Sequence, residues 1–225
     1  MSFCFSNRRT IKSLIAISAF TLSLGAQANI GLYNTGVDDS DTLLAIGAVD
    51  THYTVSGAAT YATSNAEGYP GYWLAPGTAS GWITPLLGSG NTASGAAPGG
   101  TYTYQTTFDL TGIDYSTTMI MGNVTADNGI SDILINGIST GFVYGSANGG
   151  TYNTFASFMI NSGFQAGLNT LKFSVINGSG PTGLRIEFTG ANFTPAVPEP
   201  ETYALLMAGL GLLGAVARRR KYNLS

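Results

Sequence analysis

The residues that most often carry out catalysis are scarce in this chain of 225 residues. It contains one histidine, His52, and one cysteine, Cys4, which leaves little for a metal cluster, a Cys–His pair or a disulfide framework. A nucleophilic triad needs a base beside Ser or Cys and an acid that orients the base. One histidine among many serines gives this chemistry little support. We therefore interpret His52 as structural or exposed and predict no catalytic residues.

Carboxylates are the second candidate for catalysis. A glycoside hydrolase needs two of them, about 5 to 9 Å apart, and residues 29–197 contain ten acidic side chains. None of these belongs to a sequence motif that indicates catalysis. Glu67 and Glu187 are the only glutamates in that range. A secreted hydrolase that acts on polysaccharide is therefore kept as an alternative to a non-catalytic function.

Oxygen-bearing side chains that cluster near a turn are candidate calcium ligands. Asp127 and Asn128 precede Gly129, and Asp132 follows closely. Their spacing does not fit an EF-hand loop, and Asp-Asn-Gly is also a favourable turn sequence. We predict a turn here, with structural calcium as the alternative, and no other cofactor.

Six aromatic residues are candidates for binding a sugar. A flat ring can stack on the apolar face of a sugar while neighbouring Asn, Asp or Gln side chains bond its hydroxyls. Packing in a β core is the alternative for each of them. The candidates are Trp73 and Trp82, followed by Tyr69, Tyr72, Tyr102 and Tyr144.

The central part of the chain is strongly acidic. Residues 29–197 carry ten acidic side chains and two basic ones, Lys172 and Arg185, which gives a net charge of −8. Binding to nucleic acid depends on Lys and Arg that neutralise phosphates. This composition therefore excludes a nucleic-acid partner.

Alternating polar and apolar residues predict β-strands, and these strands would position the candidate residues named above. The pattern is clearest at residues 101–110, 171–175 and 184–188, where a period of two indicates half-buried strands. Gly-rich turn sequences separate the runs, as in an antiparallel sandwich. We predict an all-β fold: one antiparallel, jelly-roll-like β-sandwich over residues 29–196.

The N-terminal 28 residues have the three parts of a secretory signal peptide. A basic segment precedes an apolar run, and small residues follow at the expected cleavage site. We predict that signal peptidase cuts before Asn29. The residues of these parts are Arg8, Arg9 and Lys12, the apolar run 14–24, and Ala26 with Ala28.

The C-terminal tail, residues 197–225, carries a second targeting sequence in addition to the predicted signal peptide. A Pro-Glu-Pro sequence precedes a predicted hydrophobic helix at residues 203–217, and basic residues follow. At about 1.5 Å per residue the helix would be roughly 22 Å long, short of a hydrocarbon core of roughly 30 Å. The basic residues should stop transfer and remain cytoplasmic. The motif is Pro198, Glu199 and Pro200, and the basic cluster is Arg218, Arg219, Arg220 and Lys221.

This ordered tail resembles the PEP-CTERM sorting signal of Gram-negative bacteria. The resemblance implies processing by an exosortase in the inner membrane, followed by secretion or attachment to the cell surface. It also implies an association with exopolysaccharide. A plain C-terminal membrane anchor that is retained is the alternative.

The central region resembles galactose-binding-like jelly-roll modules. The resemblance lies in Phe108-Asp109-Leu110, Asn136-Gly137 and Gly167-Leu168-Asn169. Many such modules bind glycans and some bind structural calcium, but no ligand residues follow from the match.

Together these features predict an exported, non-catalytic protein of the cell surface or extracellular matrix. The expected association is with exopolysaccharide or biofilm, and Trp73 and Trp82 are the candidate glycan platforms. The tail would be anchored in the membrane transiently or permanently. The remaining alternatives are the hydrolase and an adhesion or envelope protein that binds other proteins.

Overall fold

The computed structural model describes residues 30–63, 72–75, 77–87, 97–196 and 200–222. Within these ranges the chain forms an antiparallel sheet of 11 strands, one short 3-10 helix and one α-helix. The elements are β1 Val49–Val55, β2 Ala58–Thr63, β3 Trp82–Thr84, β4 Gly100–Asp109, η1 Tyr115–Thr117, β5 Met119–Asp127, β6 Gly129–Ile135, β7 Ile138–Ser139, β8 Tyr144–Gly145, β9 Ala156–Ile160, β10 Leu168–Asn177, β11 Gly183–Asn192 and α1 Pro200–Tyr222.

The sheet folds over on itself as two layers. The strand order is β7-β6-β10-β4-β1-β2-β3-β11-β5-β9, with β8 also paired to β6. Phe158 of β9 and Phe173 of β10 lie far apart along this path, yet their ring centroids are 5.8 Å apart. One hydrophobic core therefore fills the space between the layers. The all-β, antiparallel sandwich expected from the sequence is confirmed.

The predicted alternation decides which side chains enter this core. In β10, Leu171, Phe173 and Val175 are fully buried, while the residues between them are partly exposed. Phe173 pairs with Tyr104 of β4, which is also fully buried. Each such side chain contributes about 1.5–3 kcal/mol when it leaves water.

The Asp127-Asn128-Gly129 segment separates two strands but does not form a hairpin. Asp127 ends β5 and pairs with Gly183 of β11, whereas Gly129 begins β6 and pairs with Ile176 of β10. Because β5 and β6 belong to different layers, the chain crosses the sandwich through Asn128. The peptide bond between Asp127 and Asn128 is cis.

The C-terminal helix α1 contains the predicted segment 203–217 and extends it at both ends. Its large apolar side chains are exposed. Among the described residues, no helix combines the length and the hydropathy needed to cross a membrane. The exposed side chains are Tyr203, Leu205, Leu206, Met207, Leu210, Leu212, Leu213 and Val216.

Parts of both predicted targeting sequences lie outside the described residues. These are the signal peptide with Ala26 and Ala28, and Pro198 and Glu199 of the sorting motif. Pro200 is the first residue of α1, and the basic cluster lies in the last part of that helix.

Candidate functional site

A cleft with a volume of about 550 Å³ opens where β5 ends and the chain crosses to β6. Its volume falls in the range of small-molecule sites, about 300–1,000 Å³. We call it the Asp127 cleft. It is lined by Tyr72, Trp73, Asp127, Asn128, Tyr152, Ser179, Gly180 and Pro181.

Trp73 forms the inner wall of the cleft and is only 3% exposed. Its ring packs over Gly183 of β11, where a Cβ would lie 3.0 Å from the indole Cη2. A second indole, that of Trp82, supports it with ring centroids 4.4 Å apart. The Trp73 Nε1–H donates a hydrogen bond of 2.8 Å to Oδ2 of Asp127.

Asp127 places a carboxyl group in this wall at the end of β5. The residue is 4% exposed, and burial disfavours its charged form. Burial raises the pKa of Asp127 to about 6, and the hydrogen bond from Trp73 opposes that rise. The cleft therefore contains an acid that changes charge close to neutral pH.

Tyr152 comes from the segment between β8 and β9, which is tied to the sheet on two sides. The carbonyl of Tyr152 accepts a hydrogen bond of 2.6 Å from the backbone N–H of Leu74. The neighbouring Thr151 donates its hydroxyl to the carbonyl of Ala126 at 2.8 Å. A Cβ at Gly150 would overlap the Tyr152 ring, so glycine there lets the ring lie flat on the backbone.

Asn128 holds the opposite side of the cleft together. Its Oδ1 accepts a hydrogen bond of 2.8 Å from the backbone N–H of Gly178. Its carbonyl accepts one of 3.1 Å from the N–H of Thr151. The Asn128 side chain therefore fixes the loop that contributes Ser179, Gly180 and Pro181.

The cleft combines aromatic surface with a small number of polar groups. Tyr72 is 59% exposed and Tyr152 is partly exposed, and both line the opening with Trp73 behind them. Among the lining residues that the structure describes, Asp127 is the one carboxylate and there is no Lys, Arg or His. Rings of this kind can stack on a ligand while the polar groups orient it.

The two tryptophans predicted as glycan platforms have different positions. Trp73 lines the cleft, although little of its ring is exposed. Trp82 is 0% exposed, and its Nε1–H donates to the carbonyl of Leu74 at 2.9 Å. The prediction for Trp82 is wrong, because a ring enclosed on all sides has no face to offer a sugar. Its role is to support Trp73.

The three candidate calcium ligands have separate partners. Asp127 is buried against Trp73, whereas Oδ1 of Asp132 accepts a hydrogen bond of 2.9 Å from the hydroxyl of Ser139. Asp132 lies three residues into β6, about 10 Å along the strand from its start. Within the described part of the chain, no group of three or more His, Cys, Asp or Glu side chains could hold a metal ion.

His52 lies in a structural cluster on the surface of β1. Its ring stacks on Tyr33 with centroids 3.8 Å apart. Its Nε2 is 2.9 Å from Oδ1 of Asp39, and its Nδ1 is 3.6 Å from Oδ1 of Asp50. Asp50 is fully buried and accepts hydrogen bonds from the backbone N–H groups of Gly36 and His52.

Glu187, one candidate for the hydrolase alternative, is partly buried and belongs to a polar network with Ser80 and Arg185. Its Oε2 accepts a hydrogen bond of 3.0 Å from the Ser80 hydroxyl and lies 3.8 Å from Nη2 of Arg185. The other candidate, Glu67, lies outside the described residues.

Residues 137–141 read Gly-Ile-Ser-Thr-Gly and match the Gly-x-Ser-x-Gly pattern of a nucleophile elbow. That elbow requires a turn from a strand into a helix. Here the segment turns from β6 into β7, which pair as a hairpin. The match is therefore a tight β turn around Asn136 and Gly137, both of which have positive φ.

Tyr152 was missed by the sequence analysis. It lies beyond Asn148-Gly149-Gly150, which the sequence identifies only as a turn. The sequence offers one signal for Tyr152, which is that it closely follows two glycines. Because glycine has no side chain, a nearby ring can lie over the backbone there.

Comparison with protein families gives one match. Residues 196–221 match the model of the PEP-CTERM protein-sorting motif. The resemblance of the tail to this sorting signal is thereby confirmed, and it implies export with exosortase-dependent sorting. No curated protein matches the chain.

Several solved structures resemble the sandwich. One is a family 35 carbohydrate binding module from Clostridium thermocellum, with 10% identity and a TM-score of 0.35, covering 62% of this chain and 95% of that chain. Another is CBM35 from Paenibacillus barcinonensis, with 17% identity and a TM-score of 0.35, covering 64% and 99%. A third is CBM35 from Cellvibrio japonicus Abf62, with 14% identity and a TM-score of 0.25, covering 76% and 95%.

Proposed function

We propose that this chain is an exported surface or extracellular-matrix protein that binds a glycan in the Asp127 cleft without cleaving it. The observation that carries the proposal is the combination of Tyr72, Tyr152 and Trp73 with Asp127 and Asn128 around one opening. The expected association is with exopolysaccharide or biofilm.

The chemistry of the lining favours a sugar over a purely apolar ligand. An apolar sugar face can stack on the exposed Tyr72 ring, which presents more than half of its surface to solvent. The sugar hydroxyls need donors and acceptors, and the cleft offers Asn128, Ser179 and Asp127. A few polar groups on an aromatic wall are what a small-ligand site needs for orientation and specificity.

The sorting tail supports the proposed location. A PEP-CTERM motif at residues 196–221 calls for an exosortase partner and for export across the inner membrane. Signal peptidase would remove residues 1–28 at the other end. After both steps the acidic domain would face the outside, either released or still held by its tail.

The lining also supports binding without hydrolysis. Hydrolysis by the usual routes needs two carboxylates at a defined separation, and Asp127 is the one carboxylate in the described part of the lining. Glu187 is engaged with Ser80 and Arg185. Release of reducing sugar that disappears in a Glu187→Gln variant would instead establish the hydrolase.

A glycan array probed with the full chain tests the proposal. Oligosaccharides that bind are then titrated by calorimetry into the wild type, Tyr72→Ala and Tyr115→Ala. Tyr115 is the matched control, because it is an exposed tyrosine of η1 outside the cleft, with 45% of its surface accessible.

We expect Tyr72→Ala to weaken binding about tenfold, since loss of a stacked ring removes about 1 kcal/mol or more. Tyr115→Ala should bind like the wild type. An array without a positive glycan, or equal affinities for the wild type and Tyr72→Ala, would contradict glycan binding in this cleft.

A further inference from the structure

The described lining of the Asp127 cleft contains an acidic side chain but no basic one. Asp127 contributes a carboxylate, and the other titratable side chains that the structure describes in the lining are the phenols of Tyr72 and Tyr152. A phenol carries no positive charge in either protonation state. Among the ion pairs of the described residues, none includes Asp127.

The nearest basic side chain in the sheet is already engaged. Arg185 lies on β11, two residues after Gly183, which pairs with Asp127. Its Nε donates to the Ser80 hydroxyl at 2.8 Å and its Nη1 donates to the carbonyl of Ala75. Its remaining charge partner is Glu187, so its guanidinium does not neutralise Asp127.

A buried carboxylate without a cationic partner favours a ligand that supplies the cation. We infer, on the basis of the proposed glycan binding, that the Asp127 cleft selects amino sugars with a free, protonated amine and rejects uronic acids. The amine would meet the carboxylate on the cleft wall. A uronate would bring a second negative charge to the same wall.

The aromatic lining strengthens this selection. An ammonium group near the face of a Tyr or Trp ring is attracted by the ring quadrupole, and more strongly where water is excluded. Tyr72, Trp73 and Tyr152 line the same cleft as the carboxylate, and Trp73 donates a hydrogen bond to it. The same rings that stack on the sugar would therefore also favour its positive charge.

The preference for amino sugars should depend on pH. Because burial raises the pKa of Asp127 to about 6, this carboxylate is neutral at pH 5 and charged at pH 7. The exposed carboxylates Asp38 and Asp109 have lowered pKa values and stay charged at both. Preference through Asp127 should fade at pH 5, whereas attraction by the overall negative surface should persist.

Calorimetry on the full chain in a sugar-free, non-ionic detergent tests the inference. The ligands are a β-1,4-linked glucosamine tetramer, cellotetraose as its neutral counterpart, and a tetragalacturonate. All titrations contain EDTA, so that no metal ion bridges ligand and protein, and each is run at pH 7 and pH 5.

Two variants accompany the wild type. Asp127→Asn removes the charge of the cleft. Asp41→Asn makes the same change in net charge at an exposed loop residue whose positive φ asparagine tolerates well. We expect the wild type and Asp41→Asn to bind the amino tetramer about tenfold more tightly than cellotetraose at pH 7, with little difference at pH 5. Asp127→Asn should bind the amino tetramer and cellotetraose with equal affinity at pH 7.

The outcomes separate the inference from the proposed function. Equal affinity for the amino tetramer and cellotetraose at pH 7, or tightest binding of the uronide, overturns the inference but leaves glycan binding intact. An equal loss of preference in both variants also overturns it, because bulk charge would then be responsible. Absence of binding by these tetramers and by every glycan on the array overturns both.

Discussion

The indole Nε1 of Trp73 lies 2.8 Å from Oδ2 of Asp127, and this hydrogen bond joins two residues 54 positions apart. It fastens the segment before β3 to the end of β5. It also gives a buried carboxylate its donor, which limits the rise in the pKa of Asp127 that burial causes. One bond therefore joins two parts of the cleft wall and opposes the protonation of its carboxyl group.

Replacing Trp73 with phenylalanine removes that donor and keeps most of the apolar ring. We expect the free energy of unfolding to fall by about 1–3 kcal/mol, since a buried acceptor loses its partner. The pKa of Asp127 should rise further above about 6, because the opposing hydrogen bond is gone. Urea denaturation measures the first effect and carbon-detected NMR titration measures the second.

Trp82→Phe is the matched control for this change. Trp82 donates to the carbonyl of Leu74, so its loss should destabilise the fold while the Asp127 titration stays unchanged. If both variants shift that titration equally, the direct bond is not its cause.

The free energy of unfolding should depend on pH through Asp127. Its folded-state pKa of about 6 lies above the ordinary value of 3.8, so between these values the folded state binds more protons than the unfolded state. Stability from this group is therefore present below about pH 4 and is lost as the pH rises through 6. The loss amounts to roughly 2–3 kcal/mol.

Asp127→Asn removes this dependence and isolates it from other groups. Its stability relative to the wild type should improve by roughly 2–3 kcal/mol between pH 4 and pH 7. Asp109→Asn should run parallel to the wild type over this range, because hydrogen bonds from Thr111 lower the pKa of Asp109 and confine its effect to below about pH 4. An Asp127→Asn curve that also runs parallel to the wild type in urea unfolding would refute the assignment.

Asp50 satisfies buried backbone donors near the start of β1. Its carboxylate accepts hydrogen bonds from the N–H groups of Gly36 at 2.8 Å and His52 at 2.9 Å. Asp50→Ala should lower the free energy of unfolding by about 2–4 kcal/mol, since both donors lose their acceptor. Asp50→Asn, which keeps one acceptor oxygen, should cost about half as much. Equal losses in chemical denaturation would show that cavity formation dominates.

Gly150 gives the Tyr152 ring its place in the cleft. An added Cβ would overlap that ring, so Gly150→Ala should displace it and weaken ligand binding about tenfold, with the fold retained. Gly149→Ala is the control, because its Cβ would meet only the Ser146 hydroxyl at an ordinary 3.6 Å. Calorimetry and far-UV circular dichroism report the two properties. Wild-type affinity in Gly150→Ala would mean that Tyr152 does not contact the ligand.

The sorting motif predicts a defined processing defect. Changing Pro198, Glu199 and Pro200 together to alanine should leave precursor with its tail in the membrane fraction, because the match at residues 196–221 loses its Pro-Glu-Pro sequence. Thr202→Ala, just after the Pro-Glu-Pro sequence, should be processed normally. Intact mass spectrometry of secreted and membrane fractions from the host distinguishes them. Normal release of the triple variant would contradict exosortase-dependent sorting.

The sequence by itself determined the most regular strands and the sorting tail. Alternation along β10 places Leu171, Phe173 and Val175 on one face, because side chains of a strand point to opposite sides in turn. The tail is equally local, since three features in fixed order lie within residues 196–221. Patterns of this kind depend only on neighbours in the chain.

Only the tertiary structure decided which candidates form a site. It enclosed Trp82 completely, left Trp73 at a cleft and brought Tyr152 beside both Tyr72 and Asp127. A period of two residues reveals that a face is buried, but not which loop covers it or where the chain crosses between layers. Those contacts join residues tens of positions apart. Their formation depends on the packing of the whole sandwich, because the position of one buried ring determines how much of a neighbouring ring stays exposed.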